Sequence, residues 1–132
     1  MSNDILDCLR SLPHAPAIAV FEDYGPINRT SGKIAQRAEI CGILKYHLLH
    51  EFGIPVIATS PTSLKSFAVN NGKAAKKQII DRANQLGYFP ETSDEADAYF
   101  AARLGWKIIV GEKTGAAFHR TNPMNHIPYN QS

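Results

Sequence analysis

Apolar residues recur along this chain with a helical period in five places, and twice they run together in short blocks. Ile5, Leu6, Leu9 and Leu12 form one stripe and predict a helix over residues 3–12, with Asp4 and Asp7 near its start. Ile34, Ala38, Cys41, Leu44 and Leu48 predict a second helix from about 33 to 50. A short helix is expected at 64–69. Ile79, Ile80, Ala83 and Leu86 mark a fourth helix over 74–86, with its lysines outward. The fifth runs from Asp94 to about Ile109, with Ser93 as the expected N-cap.

Between them stand the blocks Ala17-Ile18-Ala19-Val20-Phe21 and Ile54-Pro55-Val56-Ile57-Ala58. Short apolar runs bounded by proline and glycine read as strands, and the first reads as one buried on both faces, as in parallel sheets. Pro55 belongs at the start of its strand because it cannot donate to a ladder. Gly42 falls inside the second helix, where glycine costs about 1 kcal/mol relative to alanine, and close packing against another element is expected there. Thr30 or Ser31 would cap that helix. Gly53 and Gly87 stop helices, and Asn70-Asn71-Gly72 is a turn. From Gly111 onward no period is sustained, so residues 111–132 are expected to be an irregular tail behind a single α/β domain at 1–110. His119 and His126 in that tail have no ligand spacing.

Composition narrows the class without deciding it. The 132 residues carry 14 Lys and Arg against 12 Asp and Glu, too even a balance to name a partner by itself. The distribution is uneven, however: Lys65, Lys73, Lys76, Lys77 and Arg82 stand against Asp81 alone in residues 65–82, a local excess suited to phosphate. Cys8 and Cys41 have no metal-like spacing and predict reduced thiols in a cytoplasmic protein. The apolar runs are too short to span a bilayer.

Chemistry concentrates in carboxylates. Asp94 and Asp97, three apart on a helix, share one face and repel each other unless a cation lies between them. An acidic first turn also complements the helix dipole, so a structural cluster and half a metal site are both open. Glu22 ends the first strand, at the carboxyl edge where α/β sheets place their ligands. Glu22, Asp94 and Asp97 together would suit Mg²⁺ or Mn²⁺, which take hard oxygen donors with water and phosphate completing the shell. Two such ions can promote phosphodiester hydrolysis, with the lysine-rich segment contacting phosphate.

The segment Phe21-Glu22-Asp23-Tyr24 resembles the "IEDY"-like sequence of RuvC-type Holliday-junction resolvases, members of the ribonuclease-H-like nuclease superfamily. Ser60-Pro61-Thr62-Ser63-Leu64-Lys65 and Asn71-Gly72-Lys73-Ala74-Ala75-Lys76-Lys77 are similar to that family's Pro-x-x-(Leu/Val)-Lys and Gly-x-x-x-Lys motifs. Ser93-Asp94-Glu95-Ala96-Asp97-Ala98 is similar to its Asp-x-x-Asp-Ala helix. No one motif is specific; their order and intervals over residues 3–110 carry the resemblance and favour the metal reading of the Asp pair. It implies a ribonuclease-H-like fold and a Mg²⁺-dependent endonuclease, of the compact type that phages encode, cutting branched DNA as a homodimer. Glu22, Asp94 and Asp97 would be metal-binding catalytic carboxylates. Lys65 and Lys76 would lie near the scissile phosphate, and Lys73 and Lys77 would bind nucleic acid. Asp23 and Glu95 would neighbour ligands, and Tyr24 would pack.

The chain departs from the family at its start. No segment matches the family's first, aspartate-bearing strand, so a truncated mixed sheet is expected, with an exposed strand edge that pairs with a second copy or with a partner segment. Two other readings stay open. One is a catalytically inactive nucleic-acid-binding or interaction module derived from such a nuclease. The other is an unrelated α/β domain with an acidic helix start.

Overall fold

The computed structural model describes residues 2–14, 16–22 and 32–123, with backbone alone at 2–4 and 32–40. Asp23, Tyr24, the expected cap at Thr30 or Ser31, His126 and the side chains of Asp4, Ile34 and Ala38 lie outside that description. The elements in chain order are α1 (Ser2–Ser11), β1 (Ala19–Glu22), α2 (Gly32–His50), β2 (Val56–Thr59), α3 (Pro61–Val69), α4 (Lys76–Gln85), α5 (Ser93–Ile109) and β3 (His119–Thr121). They make a small mixed α/β domain. None of its described helices is long and apolar enough to cross a membrane.

The sheet order is β1-β2-β3. β1 runs parallel to β2 with Ala19 opposite Val56 and Glu22 opposite Thr59, and Ala19 N donates to Pro55 O at 3.0 Å. Pro55 thus serves the ladder as an acceptor just ahead of β2, the one role its missing N–H leaves open. β2 is the central strand, with Ile57 fully buried. β1 is only half-buried along its length, not enclosed on both faces as its composition suggests. Among the described residues its outer edge is unpaired.

Helices cover both faces of the sheet. On one, Val20 packs on the core of Leu64, Ala68, Ile79, Ala83, Ala96, Phe100 and Leu104, drawn from α3, α4 and α5. On the other, Ala19 and Phe21 meet Leu9 of α1 and Leu48 of α2. Alternate residues of β1 point to opposite faces, so one strand binds two helical layers. Gly105 of α5 makes the first contact possible: a Cβ there would lie 3.0 Å from Val20 Cγ2 and 3.1 Å from Ile18 Cγ2. Gly42 has no such role, since a Cβ there meets nothing within 4 Å.

Three other expectations are corrected. The cap of α5 is Thr92, whose Oγ1 accepts from Glu95 N at 3.1 Å, and Ser93 is the first helical residue. Glu95 closes the box from its side, Oε2 accepting from Glu91 N at 2.8 Å. α3 starts at Pro61, earlier than its apolar residues indicate, because Ser60 Oγ accepts from Ser63 N and proline suits the first helical turn. Finally, the stretch expected to be an irregular tail contains β3, antiparallel to β2. The sheet is therefore three-stranded.

Thr59, 2% exposed, fastens that stretch: its Oγ1 donates to Ala117 O at 2.9 Å. Replacing Thr59 with valine keeps the shape and removes the bond. We expect a loss of about 1 kcal/mol, with faster amide exchange confined to residues 117–121. Uniformly faster exchange would show that Thr59 supports the whole core instead.

Candidate functional site

Three elements far apart in sequence meet at the carboxyl ends of the parallel strands. β1 delivers Glu22 at its last residue, beside Thr59 of β2. The first two turns of α5 deliver Asp94 and Asp97, held in place by the Thr92–Glu95 cap and by Ala96 and Phe100, which anchor the adjoining face in the core. α3 delivers Lys65, next to the buried Leu64. Glu22, Lys65 and Asp97 line one cleft with Pro61, Leu64, Ala68, Ile79 and Phe100. Its floor is apolar and its volume is about 10 Å³, close to the space of one water. Substrate would therefore lie across the mouth of this cleft.

The electrostatics follow from that setting. Glu22 titrates above the usual carboxylate range, first because burial disfavours its charge, then because Asp97 and, more weakly, Asp94 repel it; Lys65 acts in the opposite direction. Asp97 is raised for the same reasons, burial first and Asp94 next, and is drawn down by Lys65 and then Lys76. The five residues Glu22, Asp94, Asp97, Lys65 and Lys76 thus act on one another through space, although up to 75 positions separate them in the chain.

Lys73 and Lys77 are not part of this group. Both are exposed, Lys73 in the turn before α4, where its N–H donates to Asn71 Oδ1 at 3.0 Å, and Lys77 on α4. Lys76 opens α4 at the surface. Among the described residues, no three acidic, histidine or cysteine side chains converge closely enough to enclose a metal ion. The donor chemistry still fits a hard divalent cation held by two carboxylates, since Mg²⁺ is commonly bound by one or two, with water and phosphate supplying the rest. Glu22 and Asp97 are that pair.

Comparison with family models, curated proteins and solved structures returned no match to this chain. The site therefore rests on its own geometry. Sequence reasoning missed two supports of that geometry, the tight Gly105–Val20 contact under β1 and the stack of Tyr88 on Tyr99, with centroids 4.5 Å apart and planes within 1°. The stack ties the α4–α5 connection to α5. A glycine amid apolar residues and a pair of tyrosines eleven positions apart carry no local signal of either contact.

The raised carboxyls make a sign-definite prediction. A carboxyl raised on folding contributes stability fully below its unfolded value, near pH 4, and that contribution is lost as pH rises through the folded value. Asp97→Asn and Glu22→Gln should each raise Tm at pH 7 by about 2–4 °C, a modest gain because both side chains keep part of their hydration. At pH 3 the variants and the parent should melt together. A lower Tm for both variants at pH 7 would show that the carboxylates are held by favourable contacts rather than crowded.

Proposed function

We propose that this chain is a metal-dependent, structure-selective endonuclease of branched DNA, similar in kind to RuvC-type Holliday-junction resolvases with a ribonuclease-H-like fold. One observation carries the reading. Glu22, Asp97 and Lys65, from a strand and two helices, share one cleft at the carboxyl end of a parallel strand pair, with Asp94 and Lys76 acting on it. Carboxylates that burial and mutual repulsion raise above their usual range are characteristic of functional sites, because structure alone gains nothing from crowding them.

Glu22 and Asp97 would hold Mg²⁺ or Mn²⁺, with Asp94 adding negative charge at longer range. When bound, the ion would supply Lewis-acid stabilisation and an activated water for phosphodiester hydrolysis. The chain's own residues then have distinct tasks. Lys65 sets a positive charge beside the carboxylates, where it can meet a phosphate oxygen as a point charge. Lys76 would reinforce it from the start of α4. Lys73 and Lys77, outside the cleft, would contact flanking phosphates and affect affinity without affecting the reaction. The apolar floor of Leu64, Ala68 and Phe100 limits water around the ionic groups and strengthens their interactions.

A second reading, an inactive nucleic-acid-binding module, is favoured by one specific observation: the described carboxylates do not by themselves enclose an ion. The two readings separate in one experiment with a four-way DNA junction. For the nuclease, the purified chain cuts the junction with Mg²⁺ or Mn²⁺. Asp94→Asn and Asp97→Asn each lose about 10²-fold or more in rate while still binding DNA. Lys65→Met weakens cutting more than Lys77→Met does. Salt-sensitive junction binding with no metal effect and no cutting would establish the second reading. Neither cutting nor binding would remove both and leave an α/β domain with an acidic helix start.

A further inference from the structure

The outer edge of β1 and the helix above it form a surface distinct from the acidic cleft. Ala19 N bonds to Pro55 O, and the register continues in parallel to Glu22. In such a ladder alternate residues turn their N–H and C=O to the neighbour, so Val20 turns both away from β2. Among the described residues nothing meets them. Alongside runs a groove of about 390 Å³, walled by Ala17, Ile18 and Val20 on one side and by Ala98, Ala102 and Trp106 on the other. No charged residue lines it. Trp106 is 65% exposed on its rim, with Ile109 and Val110 nearly half exposed just beyond.

These features specify their occupant. Outward-facing N–H and C=O groups require a strand. Helices lie over both faces of β1, α5 on one and α1 with α2 on the other, so the added strand must be apolar on both faces. Ala17-Ile18-Ala19-Val20-Phe21 is such a segment, and it already has a free edge. We propose that β1 pairs antiparallel with β1 of a second copy about a two-fold axis, joining two three-stranded sheets into one of six strands.

The same axis explains the helix. A two-fold perpendicular to the sheet keeps both α5 helices on one face, side by side over the new seam, so one operation covers the strand edge and the apolar stripe together. An isologous interface needs this self-complementarity. Ala98, Ala102 and Gly105 let the helices approach closely, and each Trp106 enters the groove of the other copy. A stable interface buries about 800 Å² per partner. Trp106 alone offers on the order of 100 Å², with the strand edge, the alanine stripe, Ile109 and Val110 adding to it. Antiparallel pairing points the two Glu22 ends in opposite directions, which leaves each acidic cleft open.

This inference does not depend on the nuclease reading, and its test does not involve activity. Sedimentation velocity over a range of concentrations should show a dimer. Ala102→Glu and Trp106→Glu, at exposed positions, should weaken it at least tenfold, about 1.4 kcal/mol, with the circular dichroism spectrum unchanged. Ile43→Glu, on the exposed face of α2, should leave it intact. A monomer at every concentration overturns the proposal. So does a dimer broken by Ile43→Glu and indifferent to the two α5 variants.

Discussion

The parallel pairing of β1 with β2 is the contact on which the rest of this molecule depends. It spans only Ala19–Glu22 against Val56–Thr59, yet it fixes three things. Ala19 and Phe21 are presented to α1 and α2, Val20 is presented to α5, and Glu22 is set at the strand's end beside Thr59. A four-residue strand contributes few ladder bonds, so its position must come mainly from packing. That is where Gly105 enters, since any side chain there would push Ile18 and Val20 away from α5 and take Glu22 from Asp97. The acidic cleft therefore depends on a glycine well outside it.

A similar economy holds at the other end of the sheet. β3 is His119-Arg120-Thr121, every residue exposed, with no apolar face to drive its folding. It exists because β2 offers a second edge and because Thr59 bonds to Ala117. Thr59 faces β1 across the ladder and the 117–121 segment through its hydroxyl, so one buried polar residue links both neighbours of the central strand.

This explains what could be read from the residues and what could not. Helices with stripes such as Ile79, Ala83 and Leu86 are visible because their burial is periodic, and the β1 and β2 blocks because proline and glycine bound them. Glu22, Asp94, Asp97 and Lys65 could be grouped because strand ends and first helical turns are predictable places for a side chain to project. β3 was hidden because its cause is a hydrogen bond from a residue sixty positions away. Thr92 and Ser93 are equally good caps by type, and only backbone geometry chooses between them. Gly42 and Gly105 look alike in the sequence, each inside a helix; the first faces open space and the second faces β1. The lysines of 65–82 form one basic segment in the chain, but the turn at Asn71 and the start of α4 separate them. Only Lys65 enters the cleft.

The balance of charge in that cleft shows most directly what it is built for. A surface acidic turn would need no counter-charge, and a structural ion pair would pull its carboxyl below the usual range, as Arg10 does to Glu51, which is lowered to about 2 by paired hydrogen bonds at 2.8 and 2.9 Å. Glu22 and Asp97 behave in the opposite way. Lys65 acts on both, and both remain raised. One lysine is therefore too little positive charge for the carboxylates assembled around it. A divalent cation carries twice that charge in a compact sphere with a preference for carboxylate oxygen, and it is the kind of ligand that would remove the imbalance while leaving Lys65 available to phosphate.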